Sequence, residues 1–428
     1  MNIASSANLR CEKTVVIVGA GFAGLNAAQK ISKNPKVHLI LIDQKNHHLF
    51  QPLLYQVATA GLSPGDIASP IRAQFSNRPN TEIRLGKVDI VDLAGNSISV
   101  AGLKIKYDYL ILACGALHSY FKHPEWEEYA PGLKTIEQAT EMRRRILLAF
   151  ELAENEIDPT KLNSLLTFVI VGGGPTGVEL AGAIADISRT VLKQDFRKID
   201  PTKAKVILLE AGPRILTSFS NNLSEKAKRD LENLGVEVRV STRVEQINRD
   251  GVYLANSFIP THNAFWAAGV QAAKLDIQPP AKTDASGRIK VEPDFSIPGF
   301  PNAYVVGDMA AYLTPEGKGL PGVAPAAIQA GKFVGAAIVN AVLNKSKPIF
   351  KYADKGQMAT IGKNKAIAQI GRIELTGRPA WLAWLFVHVF FLIGVKNKIS
   401  VIILWAWSYL FSKRGARLIT DKDWKIEH

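Results

Sequence analysis

The residues with the clearest chemistry are two sets of glycines, each followed by an acid. Gly19, Gly21 and Gly24 keep the spacing G-x-G-x-x-G, with Ala20, Phe22 and Ala23 between them. In such a set the first glycine allows a tight turn, the second lets the backbone approach a pyrophosphate, and the third lets a helix pack close to a strand. The pattern predicts a buried strand over Val15–Val18 and a helix from Leu25 to Ile31. The helix N-terminus, with its dipole and free N–H groups, would face the phosphate charge. A second strand, Val37 to Ile42, ends in Asp43, roughly 20 residues on, where an acid meets ribose hydroxyls.

The same device recurs. Gly172, Gly174 and Gly177, with Pro175 and Thr176 inside the set, follow the apolar run Phe168–Val171, and Val206–Leu209 ends in Glu210. Two cradles imply two dinucleotides, and two redox dinucleotides in one chain imply electron transfer between them. A carboxylate at Glu210 repels a 2′-phosphate, which favours NADH over NADPH; Arg214 is the nearby group that works against that preference.

The elements that must position these groups follow from composition and order. A chain of 428 residues is too long for one core and fits two or three domains. Two cysteines far apart, Cys11 and Cys114, point to a reducing compartment and against a disulfide framework. Met1 to Lys13 is polar, so no secretory signal is expected. A net charge of +14 suits nucleic acid or an anionic membrane surface. Zinc spacings, RNA-binding aromatics and helix-turn-helix cues are missing, so no nucleic-acid partner is expected and the membrane is favoured.

Along the chain, Asn46–Ala58 reads as a loop entering a helix, placed to lie along a ribitol and flavin ring. His47 and His48 are adjacent and point apart, so no metal site is expected. Ala68–Phe75 reads as a short helix. Glu82–Asp92 suits strands, with Val88 offering backbone groups to an adenine edge. Lys106–Ala116 is a buried strand ending at Gly115, a close-approach glycine, with Cys114 a packed side chain beside it. Ile136–Glu156 reads as a connecting helix ended by Asp158-Pro159. The second nucleotide unit closes at Gly269. Asn302–Asp308 is a strand ending in Gly-Asp, and Pro321–Gly331 opens a helix.

The tail from Arg378 differs. Ala380–Val395 and Ile399–Phe411 are apolar almost throughout, interrupted by Lys396-Asn-Lys398 and followed by Lys413, Arg414 and Arg417. Each run falls short of the ~20 residues needed to span a bilayer. Terminal Trp and Tyr with basic flanks suit a helix hairpin lying in the interface. A buried homodimer interface and a true span are the alternatives.

Together these features resemble the type II (alternative, non-proton-pumping) NADH:quinone oxidoreductases. The resemblance covers nearly the whole chain and rests on both glycine sets, His48-Leu-Phe-Gln-Pro-Leu-Leu-Tyr55, Val306-Gly-Asp308 and the tail. It implies an α/β fold with two Rossmann-like dinucleotide-binding domains, of the two-dinucleotide flavoprotein type, plus a C-terminal helical membrane-associating segment. The expected domains are 1–125 with 277–345 for FAD, 162–272 for NADH, and 346–428 for membrane attachment. The expected reaction passes a hydride from NADH to flavin N5 and then reduces a membrane quinone, ubiquinone or menaquinone, at the cytoplasmic face of the inner (cell) membrane.

By the same resemblance Gly19–Ala23, Asp43, Gln44, Val88 and Asp308 would hold FAD. Ala327, Ile328, Gln329, Ala330, Gly331 and Lys332 would line the flavin. Gly174, Glu179, Glu210 and Gly269 would serve NADH. The family's quinone motif Ala-Gln-x-Ala-x-Gln stands here as Ala324-Pro-Ala-Ala-Ile-Gln329, so Gln329 matches and Pro325 replaces the first Gln. Glu179 would orient the nicotinamide or relay a proton, or else complement the helix dipole. Lys396 would reach the flavin edge or snorkel at the interface. The rivals are a sulfide:quinone oxidoreductase or disulfide reductase, which needs paired cysteines, and an NADH-sensing membrane interaction protein.

Overall fold

The computed structural model describes residues 11–411 and 414–420, so the N-terminal segment before Cys11 and Lys413 lie outside the described residues. In chain order the helices that position the sites are α1 (Phe22–Ile31), α2 (Leu54–Ala58), α3 (Ile136–Asn155), α4 (Pro175–Asp186), α5 (Ala324–Val342), α6 (Gly377–Phe391) and α7 (Val395–Phe411). The chain forms two compact units. The first gathers residues up to His48, Ser69–Leu117 and Val270–Lys355; the second gathers Leu49–Ala68, His118–Gly269 and the chain from Gly356.

The first unit is built on a sheet whose strands run Ser296–Ile297, Phe300–Val305, Tyr109–Leu112, Lys13–Val18, Val37–Asp43 and Thr81–Leu85 across its width. The Lys13–Val18 strand pairs in parallel with both neighbours, and Val15–Val18 are buried. A run of β-branched side chains is what a strand covered on both faces requires. Helices α1 and α5 pack together at close range. A Cβ on Gly331 would lie 2.1 Å from the Ala23 carbonyl oxygen, and one on Gly335 would lie 3.0 Å from that of Ala27. Helix α5 is the one described helix long and apolar enough to cross a membrane, yet half of its apolar window is buried, as befits a core helix. A second sheet joins Asp276–Gln278, Val88–Asp92, Ser97–Val100 and Leu103–Lys106.

The second unit repeats the parallel plan with strands Val236–Arg239, Lys205–Leu209, Thr167–Val171 and Asn263–Trp266. Helix α3 starts from a capping box of Thr135 and Gln138. Beyond its end Asp158 caps a further helix, Pro159–Leu165. A three-stranded antiparallel sheet, Gln357–Thr360, Ala366–Ile370 and Ile373–Thr376, precedes the tail and was not read from the sequence.

The tail forms two helices as expected, but the break lies at Leu392–Gly394. Lys396 and Lys398 therefore sit in the first turn of α7 instead of in the break. Gly394 has φ +90°, a turn conformation that glycine adopts at little cost. Helix α6 is two-sided: Ala380, Trp384 and His388 are buried, while Leu382, Phe386 and Phe390 are exposed. Ala68–Phe75 is not one helix. Ala68–Pro70 is a strand followed by a helical turn, Ile71–Gln74, because Pro70 drives the residue before it out of the helical region.

Candidate functional site

The first glycine cradle lies in the first unit. Gly19 turns the chain with φ +101°, a conformation that excludes most side chains. A Cβ at Gly24 would sit 1.8 Å from the Gly19 carbonyl oxygen, so the helix can start there only with glycine. Gly21 caps α1, and an added Cβ there would meet nothing within 4 Å, which leaves open space at a helix N-terminus. Asp43 holds this loop: one carboxylate oxygen accepts from the Ala20 N–H at 2.6 Å and the other from the Lys45 N–H at 2.7 Å. A carboxylate has room for further donors, such as ribose hydroxyls.

His48 is buried behind the same loop. Its Nδ1 donates to the Ala20 carbonyl at 2.9 Å, because a carbonyl can only accept. Nε2 is thereby an acceptor, buried and without a partner in the protein. Burial lowers the pKa of His48, which keeps the ring neutral. Phe22 meets its ring edge-on at 5.1 Å. An open helix N-terminus, a loop-bound acid and an orphaned buried acceptor fit a dinucleotide carrying hydroxyl donors, and so fit FAD.

Other residues expected at FAD are placed as follows. Asp308 is half-buried in a short helical turn after Phe300–Val305, following Gly307 at φ +73°. Gly115 has φ +69° and open space around it. Gln44 is exposed, and Val88 is buried in the second sheet opposite Val100. On α5, Ala327, Ala330 and Gly331 are buried, Ile328 is half-buried and Lys332 is exposed. Gln329, the residue that matches the quinone motif, clamps backbone. Its Nε2 donates to the Ala353 carbonyl at 3.0 Å and to that of Pro325 at 3.2 Å, and its Oε1 accepts from the Ala353 N–H at 2.9 Å. An amide held at both ends fixes the side chain of this quinone-motif residue in one orientation.

The second cradle has the same internal geometry. Gly172 has φ +112°, and a Cβ at Gly177 would lie 1.9 Å from the Gly172 carbonyl oxygen. Gly174 caps α4 with open space beside it, Pro175 fills the first helical position, and Thr176 is exposed. Glu210 accepts from the Gly173 N–H and the Gly212 N–H, each at 2.7 Å. The Arg214 guanidinium donates to the carbonyls of Thr217 and Phe219, both at 2.9 Å, which holds it to its own loop. Gly269 has φ +71°, and a Cβ there would strike the Phe121 ring at 2.6 Å.

Glu179 of α4 anchors a third constellation in the second unit. The residue is half-buried, and burial pushes its pKa up to about 8. The Thr360 N–H points at Oε1 at 3.4 Å, and the Trp384 indole also favours the ionised form. Tyr55, buried on α2, shares a hydrogen bond of 3.0 Å with the Thr360 hydroxyl. Trp384 stacks on His388 at 4.0 Å. Burial lowers the His388 pKa to about 4, so this ring is neutral near pH 7.

Sequence reasoning missed Tyr55, Thr360 and Trp384 as neighbours of Glu179. Only the buried stripe of Ala380, Trp384 and His388, four residues apart, gave a signal. Lys396 is exposed on α7. Arg414 and Arg417, read from the sequence as basic flanks of the hairpin, are paired within the protein. Arg414 binds Asp186 at 2.6 Å and the Thr59 carbonyl at 2.7 Å, and Arg417 binds Asp195.

Comparison with known proteins decides the family. The pyridine nucleotide-disulphide oxidoreductase model matches residues 13–331, and the NDH2 C-terminal domain model matches residues 355–414. The chain is 45% identical to the type II NADH:quinone oxidoreductase Ndh of Mycobacterium tuberculosis, covering 96% of this chain and 90% of that one. The chain belongs to the type II NADH:quinone oxidoreductase family. NdhA of the same organism is 40% identical over 95% of this chain and 89% of its own length. The fold matches NDH2 from Plasmodium falciparum, solved in complex with NADH, with TM-score 0.87 at 21% identity, covering 95% of this chain and 99% of that one.

A sulfide:quinone oxidoreductase from Aquifex aeolicus shares the fold with TM-score 0.72 at 19% identity, covering 93% of this chain and 95% of that one. In this chain both cysteines are free. Burial pushes the Cys114 thiol up to about 12, so it stays protonated and unreactive. Among the described residues no cluster of side chains suits a metal ion.

Proposed function

We propose that the chain is an FAD-dependent NADH:quinone oxidoreductase that reduces quinone by two electrons without pumping protons. The observation that carries this reading is the duplicated glycine cradle, each with a carboxylate locked to its loop by two backbone amides. Bound FAD would supply the relay, taking a hydride from NADH and passing the electron pair to quinone. The protein's part is to bind, orient and protonate. In the first unit Asp43, the α1 N-terminus, His48 Nε2 and Asp308 would hold FAD. In the second unit the α4 N-terminus and Glu210 would hold NADH, and Glu210 would reject a 2′-phosphate.

Reduction of a quinone to a quinol takes two electrons and two protons. A hydride carries both electrons and one proton, so one further proton must come from solvent. Glu179 is suited to deliver it, because a carboxyl near pKa 8 keeps its proton at neutral pH and stays acidic enough to give it up. Water then restores that proton. The test is NADH oxidation by the purified, FAD-loaded protein with a short-chain quinone. Dependence of NADH loss on quinone supports the reading, and turnover unaffected by quinone rejects it.

The outer faces of α6 and α7 support attachment to a membrane surface, where a quinone is at hand. Phe386 is 72% exposed and Leu410 78%, and Leu382, Phe390, Ile403 and Trp407 of the same two helices are exposed as well, a density of uncovered apolar side chains that suits a membrane surface. On this reading the hairpin lies in the interface at the cytoplasmic face of the inner membrane. Replacing Phe386 and Phe390 by Ser should release the protein from anionic liposomes while short-chain quinone turnover persists. A homodimer interface on the same face would give a mass change in solution with no liposome effect.

A further inference from the structure

The second cradle and Glu210 account for the ADP half of a dinucleotide and leave its nicotinamide half without a contact. Across the second unit's parallel sheet, the strand Lys205–Leu209 that leads to Glu210 lies on one side of Thr167–Val171, and Asn263–Trp266 lies on the other. Ligands of such sheets lie across the carboxyl ends of the strands. With the diphosphate at the α4 N-terminus and the adenosine ribose at Glu210, the nicotinamide nucleotide runs the opposite way, over the residues that follow Trp266. Those residues border the cradle. A Cβ on Gly172 would sit 2.7 Å from the Ala267 carbonyl carbon, and one on Gly177 would sit 3.3 Å from the Ala267 Cβ.

An aromatic side chain stands at the far end of that path. Ser119–Phe121 runs beside Trp266–Gly269: the Ser119 N–H donates to the Gly269 carbonyl at 3.3 Å, and Trp266 Nε1 donates to the Ser119 carbonyl at 3.0 Å. The Phe121 ring lies on Gly269, close enough that a methyl there would overlap it. It meets the Trp266 ring edge-on at 6.1 Å. Trp266 in turn packs on Tyr120 at 5.1 Å and on Trp126 at 5.6 Å, and all three are buried. The core behind Phe121 is therefore complete without it, and Phe121 itself is 59% exposed. The backbone is left-handed at Phe121, with φ +50°, and again at Lys122, with φ +87°. Two successive side chains in that conformation are costly, and such strain gathers where a chain grips a ligand.

We propose that Phe121 packs against the nicotinamide nucleotide of NADH and sets its position over Gly269. The proposal rests on NADH occupying the second cradle. It divides the pocket in two: α4 and Glu210 read the ADP half, and Phe121 reads the half that gives up the hydride.

The experiment mixes NADH with the full-length, FAD-loaded protein without oxygen and follows the rate of flavin bleaching against NADH concentration, with ADP as a competitor. Phe121→Ala should raise the NADH concentration for half-maximal bleaching about tenfold, the scale of one lost aromatic contact. The inhibition constant of ADP, which carries no nicotinamide nucleotide, should not change, and neither should the flavin content. Phe121→Tyr restores the ring and should recover most of the loss. Phe121→Leu keeps an apolar side chain on Gly269, so it reports the same ratio of NADH to ADP affinity if the alanine variant folds poorly.

Equal weakening of NADH and ADP would make Phe121 a support for its own loop and overturn the proposal. A Phe121→Ala titration that superimposes on the unaltered one would overturn it as well. If ADP does not inhibit bleaching of the unaltered protein, NADH does not occupy the second cradle, and that placement fails together with this proposal.

Discussion

Replacing Glu179 by Gln removes a carboxyl that the fold keeps protonated, and the consequence can be worked out. The group stands at about 8 in place of 4.5, chiefly through burial. In the unfolded chain the acid ionises near its ordinary value, while the folded chain holds the proton until about pH 8. The folded state therefore binds more protons across that window, and stability falls as pH rises through it and levels off above. At about 1.4 kcal/mol per pH unit the ceiling is about 5 kcal/mol. The residue keeps some contact with water, so a working figure is about 2 kcal/mol.

Glu179→Gln has nearly the same shape and no charge to bury. It should melt several degrees above the unaltered protein at alkaline pH, with the gap closing toward pH 4.5. Thermal melts across pH, read by circular dichroism, measure this directly. The same variant should lose about a hundredfold in quinone reduction while retaining FAD, the scale expected for a lost general acid. Melting curves of the two proteins that stay parallel at every pH would refute the reasoning about burial.

Other perturbations separate the parts. Gly24→Ala should yield protein without bound flavin, since the added methyl overlaps the Gly19 carbonyl, whereas Gly177→Ala should stay yellow but bleach poorly with NADH; flavin content and bleaching rate check both. Replacing Cys11 and Cys114 together by Ser should leave quinone-dependent NADH oxidation intact, and its loss would favour sulfur chemistry. Arg414→Ala should destabilise the protein by about 3 kcal/mol, because it strands the Asp186 carboxylate in a site where the pair is 11% and 14% exposed; denaturant unfolding measures it.

The glycine cradles were legible in sequence because every part of them is local. Turn, helix start and acid fall within one strand-helix-strand stretch, and glycine is required by backbone geometry at Gly19 and Gly172. The Glu179 site was only partly legible. Its raised pKa comes from burial, and the groups that partly offset that rise, Thr360 and Trp384, lie almost two hundred residues or more along the chain and carry no motif. The tail showed its apolar content, but composition does not say which side of a helix faces inward. The pairing of Arg414 and Arg417 was hidden for the same reason, since their acidic partners Asp186 and Asp195 sit on remote segments. The strands between Gln357 and Thr376 are short and closely turned, too brief for alternation to stand out.

The central claim, that one chain takes electrons from NADH and gives them to quinone by way of a bound flavin, is tested most directly by the two half-reactions followed in sequence without oxygen. The account predicts that NADH bleaches the flavin of the purified protein, that quinone restores it, and that Glu179→Gln slows only the second step. Flavin that NADH leaves unbleached, or that quinone cannot restore once bleached, would contradict it.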